Sequence, residues 1–404
     1  MEATAPVTSY RALFGVPGFR RLAFVLVVVR SASWMWELAL VLLLLQRYQS
    51  PALAGIAVFL AIAPGVLVSP LAGALLDRYG RLRLVIANYA VSAVTLGLIA
   101  VLAHIDAPLA PIFVLVVISS LMTPLGTAGS RSLLPVVVPQ RLWDRANAID
   151  SMSYMVTTVL APPLAGAISA FVSPEAAIAS AAIVFIVGAV ALTGVHDVPH
   201  SREITRGVFA EARDGIGYVL GNVSLRGLAV GMSVVNLGQG ILLVGLPVAV
   251  FERLHADAIV VGVLWSIMGV VGVAGGLAAG RIGTAGRERP MLVGGILTVA
   301  AGFATIAFAS SLAGLVAGVV FVGGGSAVMD VALFSLRQRV TDPEWFGRAF
   351  AVSMHLNYSG IPVGSAISGP LLAVSTPFAL MVAVAFALAA AGLTFVMVPS
   401  TERA

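Results

Sequence analysis

From Met291 to Met329 the chain runs 39 residues without a charged side chain. As one helix that stretch would be roughly 58 Å long, whereas the hydrocarbon of a bilayer is only about 30 Å thick. The stretch must therefore cross a membrane, turn and cross back, and Ser310-Ser311 is the polar break at which it can turn. The rest of the chain follows suit. Hydrophobic residues make up 59% of it and charged residues 10%, where a soluble domain carries roughly 25% charge. Twelve apolar runs are long enough to span, at about 22–45, 53–76, 84–103, 109–130, 148–172, 176–195, 227–250, 258–280, 291–309, 312–333, 349–373 and 378–398. Ser375-Thr376-Pro377 divides the last long run. In lipid every backbone group must be paired within its own segment, so each run is read as a helix and the fold class as all-α integral membrane.

Orientation follows from arginine. The chain has no lysine, and alternating the loops between two sides gathers 20 of its 23 arginines on one of them. Only Arg47 and Arg253 fall in opposite loops, and Arg30 lies inside a span. The positive-inside rule then puts both termini in the cytoplasm, in a multi-pass plasma-membrane protein whose first apolar run is a retained helix rather than a cleaved signal. The net charge of +5 is a topology signal and needs no nucleic-acid partner. Zero cysteines exclude disulfides and thiolate chemistry. No cofactor or metal is expected. His196-Asp197-Val198-Pro199-His200 has metal-like spacing but lies in a proline-broken loop without a third ligand. The chain has no phosphate-binding loop, so transport by ATP hydrolysis is excluded, and no serine, histidine and acid set in a defined turn points to an enzyme.

The sequence also repeats. A shift of 203 residues lays Gly73, Arg78 and Gly80 on Gly276, Arg281 and Gly283. The same shift lays Ser132-Leu133 on Ser335-Leu336 and Arg145-Ala146 on Arg348-Ala349. One offset serving two loops implies two pseudo-symmetric six-helix bundles. The halves are read as 1–195 and 226–404, joined by a cytoplasmic linker at 196–225. Within the linker Phe209, Ala212, Ile216 and Tyr218-Val219 are expected to form the apolar side of a helix lying on the inner membrane surface.

The short turn after the second run carries Gly73, Asp77, Arg78, Gly80, Arg81 and Arg83. These residues resemble the signature between helices 2 and 3 of the major facilitator superfamily, and twelve spans in two repeats match that family over almost the whole chain. Pro162-Pro163-Leu164-Ala165-Gly166-Ala167 resembles the Gly-Pro-x-x-Gly-Gly motif of its antiporters, with Pro162 and Ala167 in place of two glycines. Leu134-Pro135, Asp144-Arg145-Ala146-Asn147-Ala148 and Gly347-Arg348-Ala349 are most similar to its bacterial small-molecule and macrolide-type efflux branch. Leu109–Ser130 lacks the arginine that many family exporters carry in helix 4. On its own chemistry, Gly80 permits a turn that other residues resist. Gly73 clears a side chain where helix 2 can approach a neighbour. Asp77 can meet helix N-terminal dipoles or an arginine across the two halves. The signature is thus expected to act as a cytoplasmic latch, with Asp150, Asp330, Arg145 and Arg348 as secondary gate charges.

Polar residues at membrane depth are costly and mark function by default. Arg30 lies about 13 Å into the bilayer and Glu37 two turns further along the same helix face. Burial penalises a charged carboxylate while a nearby arginine favours it, so Glu37 is expected to carry protons, with Arg30 as its modulator. Helix 7 adds Asn236 and Gln239, helix 11 adds His355, Asn357 and Tyr358, and Trp34 supplies apolar surface. Such residues near the midplane of helices 1, 7 and 11 are expected to converge on a substrate site. The expectation is a monomeric secondary transporter that exports small amphipathic compounds by proton antiport. An importer or facilitator of a small metabolite is the alternative, and a membrane-embedded enzyme or receptor a remote one.

Overall fold

The computed structural model describes residues 9–195 and 208–399. The His196 to His200 segment lies outside them. A short helix, α1 (Tyr10–Phe14), precedes the first six-helix set: α2 (Phe19–Tyr48), α3 (Pro51–Tyr79), α4 (Arg81–His104), α5 (Leu109–Val137), α6 (Trp143–Phe171) and α7 (Pro174–Leu192). After the linker helix α8 (Val208–Gly221) come α9 (Val223–Leu254), α10 (Ala258–Ile282), α11 (Glu288–Phe308), α12 (Leu312–Val340), α13 (Phe346–Tyr358), α14 (Gly360–Val374) and α15 (Thr376–Met397). Among the described residues there is no strand.

The expected breaks are built as hydrogen-bonded caps. Ser311 accepts from the Gly314 N–H at 3.3 Å to start α12, and Ser375 accepts from Phe378 at 3.2 Å to start α15. The repeat shows in the backbone as well. Gly80 (φ 93°) is the single residue between α3 and α4, and Gly283 (φ 76°) caps α10 at the matching point of the second half. Both sit where a Cβ is strained, which is why the turn needs glycine. Short 3-10 turns at Gln140–Leu142 and Pro343–Trp345 precede α6 and α13 at the same offset.

Among the described residues, eleven helices are long and apolar enough to cross a membrane. The twelfth crossing, expected as one helix over 349–373, is broken into α13 and α14. Pro362 has no N–H to give to the Tyr358 carbonyl four residues back, and its ring crowds that turn. Ser359 at the joint instead donates its N–H to the His355 carbonyl at 3.0 Å. The break leaves His355, Asn357 and Tyr358 on the last turn of α13.

Each half packs its own helices: α2 on α6 and α7, α4 on α5 and α7, and their counterparts α9 on α14 and α15, α11 on α12 and α15. The halves meet through α6 on α10 and α3 on α14. These contacts lie at one end. A Cβ on Gly166 would sit 2.6 Å from the Ala258 carbonyl oxygen, and Gly55 packs on the Ser365 carbonyl. Proline chemistry reinforces this seam, because Pro163 cannot donate to the Val159 carbonyl and Ser266 of α10 donates to it instead. At the other end, which holds Ser9, Pro399 and most of the described arginines, Cβ atoms on Gly73, Gly276 and Gly280 would meet nothing within 4 Å. The bundle is therefore closed at one end and splayed at the arginine-rich end.

The side chains of Phe209 and Ala212 lie outside the described residues. Tyr218 stacks on Trp345 with ring centroids 4.8 Å apart, and its hydroxyl donates to Asp342 at 3.0 Å. Val219 is fully buried and Ile216 is exposed. Tyr218 and Val219 of α8 thus pack on the second half, while Ile216 and Leu220 stay exposed.

Candidate functional site

A cavity of about 550 Å³ lies between the halves, lined by Trp34, Glu37, Asn236, Gln239, Asp330, His355, Asn357 and Tyr358 among others. Every substrate-site residue expected from the sequence lines it except Arg30. That arginine lines a second cavity of about 240 Å³ inside the first half, together with Glu37, Asn88, Tyr89, Ser92, Ser119, Thr123, Thr127 and Tyr154. A third space of about 230 Å³ links Glu37 to Ser69, Ser120 and His355.

Arg30 and Glu37 share a helix stripe, as their spacing implies, but they do not pair. Arg30 bonds the Asp150 carboxylate at 2.6 Å and the Asp150 carbonyl at 3.1 Å, and donates to Ser153. Its guanidinium lies 3.7 Å from the centroid of the Tyr154 ring. Arg131 adds a bond to the other carboxylate oxygen at 3.3 Å. A buried guanidinium takes the acceptor that offers several short charged bonds, and α6 supplies it directly beside α2. Asp150 is therefore the counter-ion of Arg30. Glu37 is left with no hydrogen bond or ion pair among the described residues. It lines all of the three cavities above and a narrow apolar one of about 50 Å³ beside Trp265 and Pro162.

The second half contributes amides that each hold a bond to the protein. Asn236 donates to the Asn357 carbonyl at 2.7 Å, and Gln239 donates to Ser326 at 3.3 Å. With the Asn357 amide turned to satisfy both atoms, its nitrogen donates to the Ser353 carbonyl at 3.0 Å and its oxygen accepts from Arg337 at 2.5 Å. Trp34 and Tyr358 are exposed on the cavity, at 41% and 46%. Asp330, expected at a gate, opens onto this cavity and makes no ion pair among the described residues. Sequence reasoning grouped Arg337 with the topology arginines, whereas it is fully buried beside the Met354 sulfur at 2.9 Å and two phenylalanines. Trp265 was missed entirely. Its signal was an aromatic residue paired with Ser266 in a run otherwise made of small and aliphatic side chains.

At the arginine-rich end, Arg81 donates to the Ser132 carbonyl at 3.2 Å, Arg78 lies 5.3 Å from the Tyr79 ring, and Arg83 is exposed. Arg145 lies 5.9 Å from the Tyr10 ring of α1. The side chains of Asp77 and Arg348 lie outside the described residues.

The sequence model of the Major Facilitator Superfamily matches residues 22–365, and again 228–404. An MFS-type transporter of Sinorhizobium fredii is 37% identical over 371 residues, spanning 90% of this chain and 91% of that one. The chain belongs to the major facilitator superfamily. Membership makes it a membrane transporter and not an enzyme. The multidrug resistance protein MdtH of Aeromonas hydrophila shares 35% identity over 102 residues, 25% of each chain. Among solved structures, a mutant form of the nucleoside transporter NupG has a TM-score of 0.81 at 12% identity, covering 94% of this chain and 99% of that one. A bacterial homologue of the iron transporter ferroportin, in its inward-facing state, has a TM-score of 0.72 at 18% identity, covering 94% and 98%. At such identities these structures establish the superfamily fold alone.

Proposed function

We propose that this superfamily member exports small amphipathic compounds from the cytoplasm across the cell membrane by proton antiport, working as a monomer. The observation that carries the reading is the place of Glu37. It is the unpaired carboxylate at the junction of the wide, largely apolar central cavity and the hydroxyl-lined cavity of the first half. Substrate and proton routes therefore meet at one titratable group. Arg30, on the same helix as Glu37 and held by Asp150, supplies a fixed positive charge, and Arg131 of α5 joins it on the same carboxylate.

With the arginine-rich end in the cytoplasm, the splayed conformation is the inward-facing one. Substrate enters the central cavity, and a proton on Glu37 leaves to the cytoplasm. The halves then rock about the cavity, opening the seam at Gly55, Gly166 and Gly262 and closing the end at Gly73 and Gly276. There Asp77, Arg78, Arg81 and Arg83 act as the latch of the outward-facing state, and Gly73 supports the close approach. Asn236, Gln239, His355, Asn357, Tyr358 and Trp34 form the substrate walls. Outside, substrate leaves and Glu37 takes a proton for the return. The efflux assignment draws further support from the sequence likeness to MdtH over a quarter of the chain.

The test uses inside-out vesicles with a respiration-driven proton gradient and a pH-sensitive dye. Adding a transported amphipathic compound should release vesicle protons for the wild type and not for Glu37→Gln. Labelled metabolites equilibrating with no proton movement would replace the exporter by a facilitator.

A further inference from the structure

We infer that the exported compound is an organic cation, and that Asp330 with its aromatic surroundings is the subsite that recognises the charge. This rests on reading the central cavity as the transport site. Among the described residues, the charged side chains lining that cavity are two carboxylates, Glu37 and Asp330, and no arginine reaches its wall. The two arginines closest in sequence to them are both withdrawn. Arg30 is spent on Asp150, and Arg337 is fully buried with its guanidinium on Met354, Phe334 and Phe350. An anionic compound would find no arginine on that wall.

Asn236 and Gln239 each give one N–H to the protein, to the Asn357 carbonyl and to Ser326. Aromatic rings share the wall with them: Trp34, Trp265, Phe334 and Tyr358. Ring faces beside an unpaired carboxylate attract an ammonium twice, through the ring quadrupole and through the negative charge, and both attractions grow as water is excluded. The other titratable groups on the same wall are His355 and Tyr358 of α13 and Glu37 of α2, while Arg337 stands seven residues along α12 behind it.

The two carboxylates then divide the work. Asp330, on the second half, holds the cation, while Glu37, which also faces the hydroxyl-lined cavity of the first half, exchanges the proton. One monovalent cation leaving against one proton entering moves no net charge.

Equilibrium binding of two labelled probes to the purified protein in lipid nanodiscs tests this. One is 4-phenylbutyl-trimethylammonium and the other its neutral isostere with carbon in place of nitrogen. Wild type should bind the cation at least about tenfold more tightly than the isostere. Asp330→Asn should remove that preference while leaving isostere binding unchanged, and Asp330→Glu, which keeps the charge, should restore it. Equal binding of the two probes by wild type overturns the inference, as does an undiminished preference in Asp330→Asn or binding of neither probe. If neutral compounds nevertheless release protons in the vesicle assay, the exporter stands without the cation subsite. Cation preference without proton release keeps the subsite and removes antiport.

Discussion

Gly262→Ala should push this transporter toward its outward-facing state. In the conformation described here, α10 lies so close to α6 that a Cβ at Gly262 would meet the Pro162 carbonyl and sit 2.8 Å from Pro163 Cα. Both are backbone atoms of a proline pair and cannot rotate away. Overpacking of this kind costs about 1–3 kcal/mol. Alanine also gains about 0.5–1 kcal/mol of helix propensity over glycine, but equally in both conformations, so that gain cancels. The whole penalty falls on the conformation described here, the inward-facing one in the proposed orientation, and the ratio of outward to inward forms should rise about 5- to 150-fold. The chain has no cysteine, so labels can be placed singly without background. Spin labels at Arg141→Cys and Arg287→Cys, both exposed on the arginine-rich ends of the two halves, would report the shift as a shorter distance by pulsed electron resonance. An unchanged distance distribution in a well-folded Gly262→Ala protein would refute the seam as the closed gate.

Further outcomes follow from the same geometry. Ser266→Ala removes the hydroxyl that donates to the Val159 carbonyl, so it should shift the same distance in the same direction, by about 1–3 kcal/mol. Arg30→Ala leaves Asp150 buried, and removing one partner of a buried pair costs about 3–5 kcal/mol. The lower end is expected because Arg131 remains 3.3 Å from Asp150, and the double variant Arg30→Met/Asp150→Leu should recover most of the loss of thermal stability. Asp77→Asn should slow turnover more than it weakens substrate binding, because a latch acts on the conformational balance; normal turnover with poor binding would contradict it. Trp345→Ala removes the ring on which Tyr218 stacks, worth about 0.5–1.5 kcal/mol beyond burial, and should speed limited proteolysis within residues 208–221.

The spans and the repeat were legible because they rest on long-range averages. Hydrophobic length, arginine asymmetry and the 203-residue offset each sum over many residues, and the lipid forbids alternatives to helix. The break at Ser359 was also visible in principle, since Pro362 cannot continue the bonding of α13, but an apolar count does not register one missing N–H. Partners between helices were not legible. Nothing along α2 says that Arg30 prefers Asp150, 120 residues away, to Glu37 two turns along. The depth of Asp330 was not legible either, because α12 continues to Val340 and leaves Asp330 about 15 Å inside the helix end. Arg337, taken for a loop residue, is carried inward by the same continuation.

The claim that Glu37 couples proton and substrate is tested most directly by separating exchange from uphill transport in proteoliposomes. With substrate on both sides, Glu37→Gln should still exchange labelled for unlabelled compound, because that cycle needs no proton. With an imposed pH gradient it should fail to concentrate substrate, where wild type succeeds. A Glu37→Gln protein that concentrates substrate as wild type does would contradict the account.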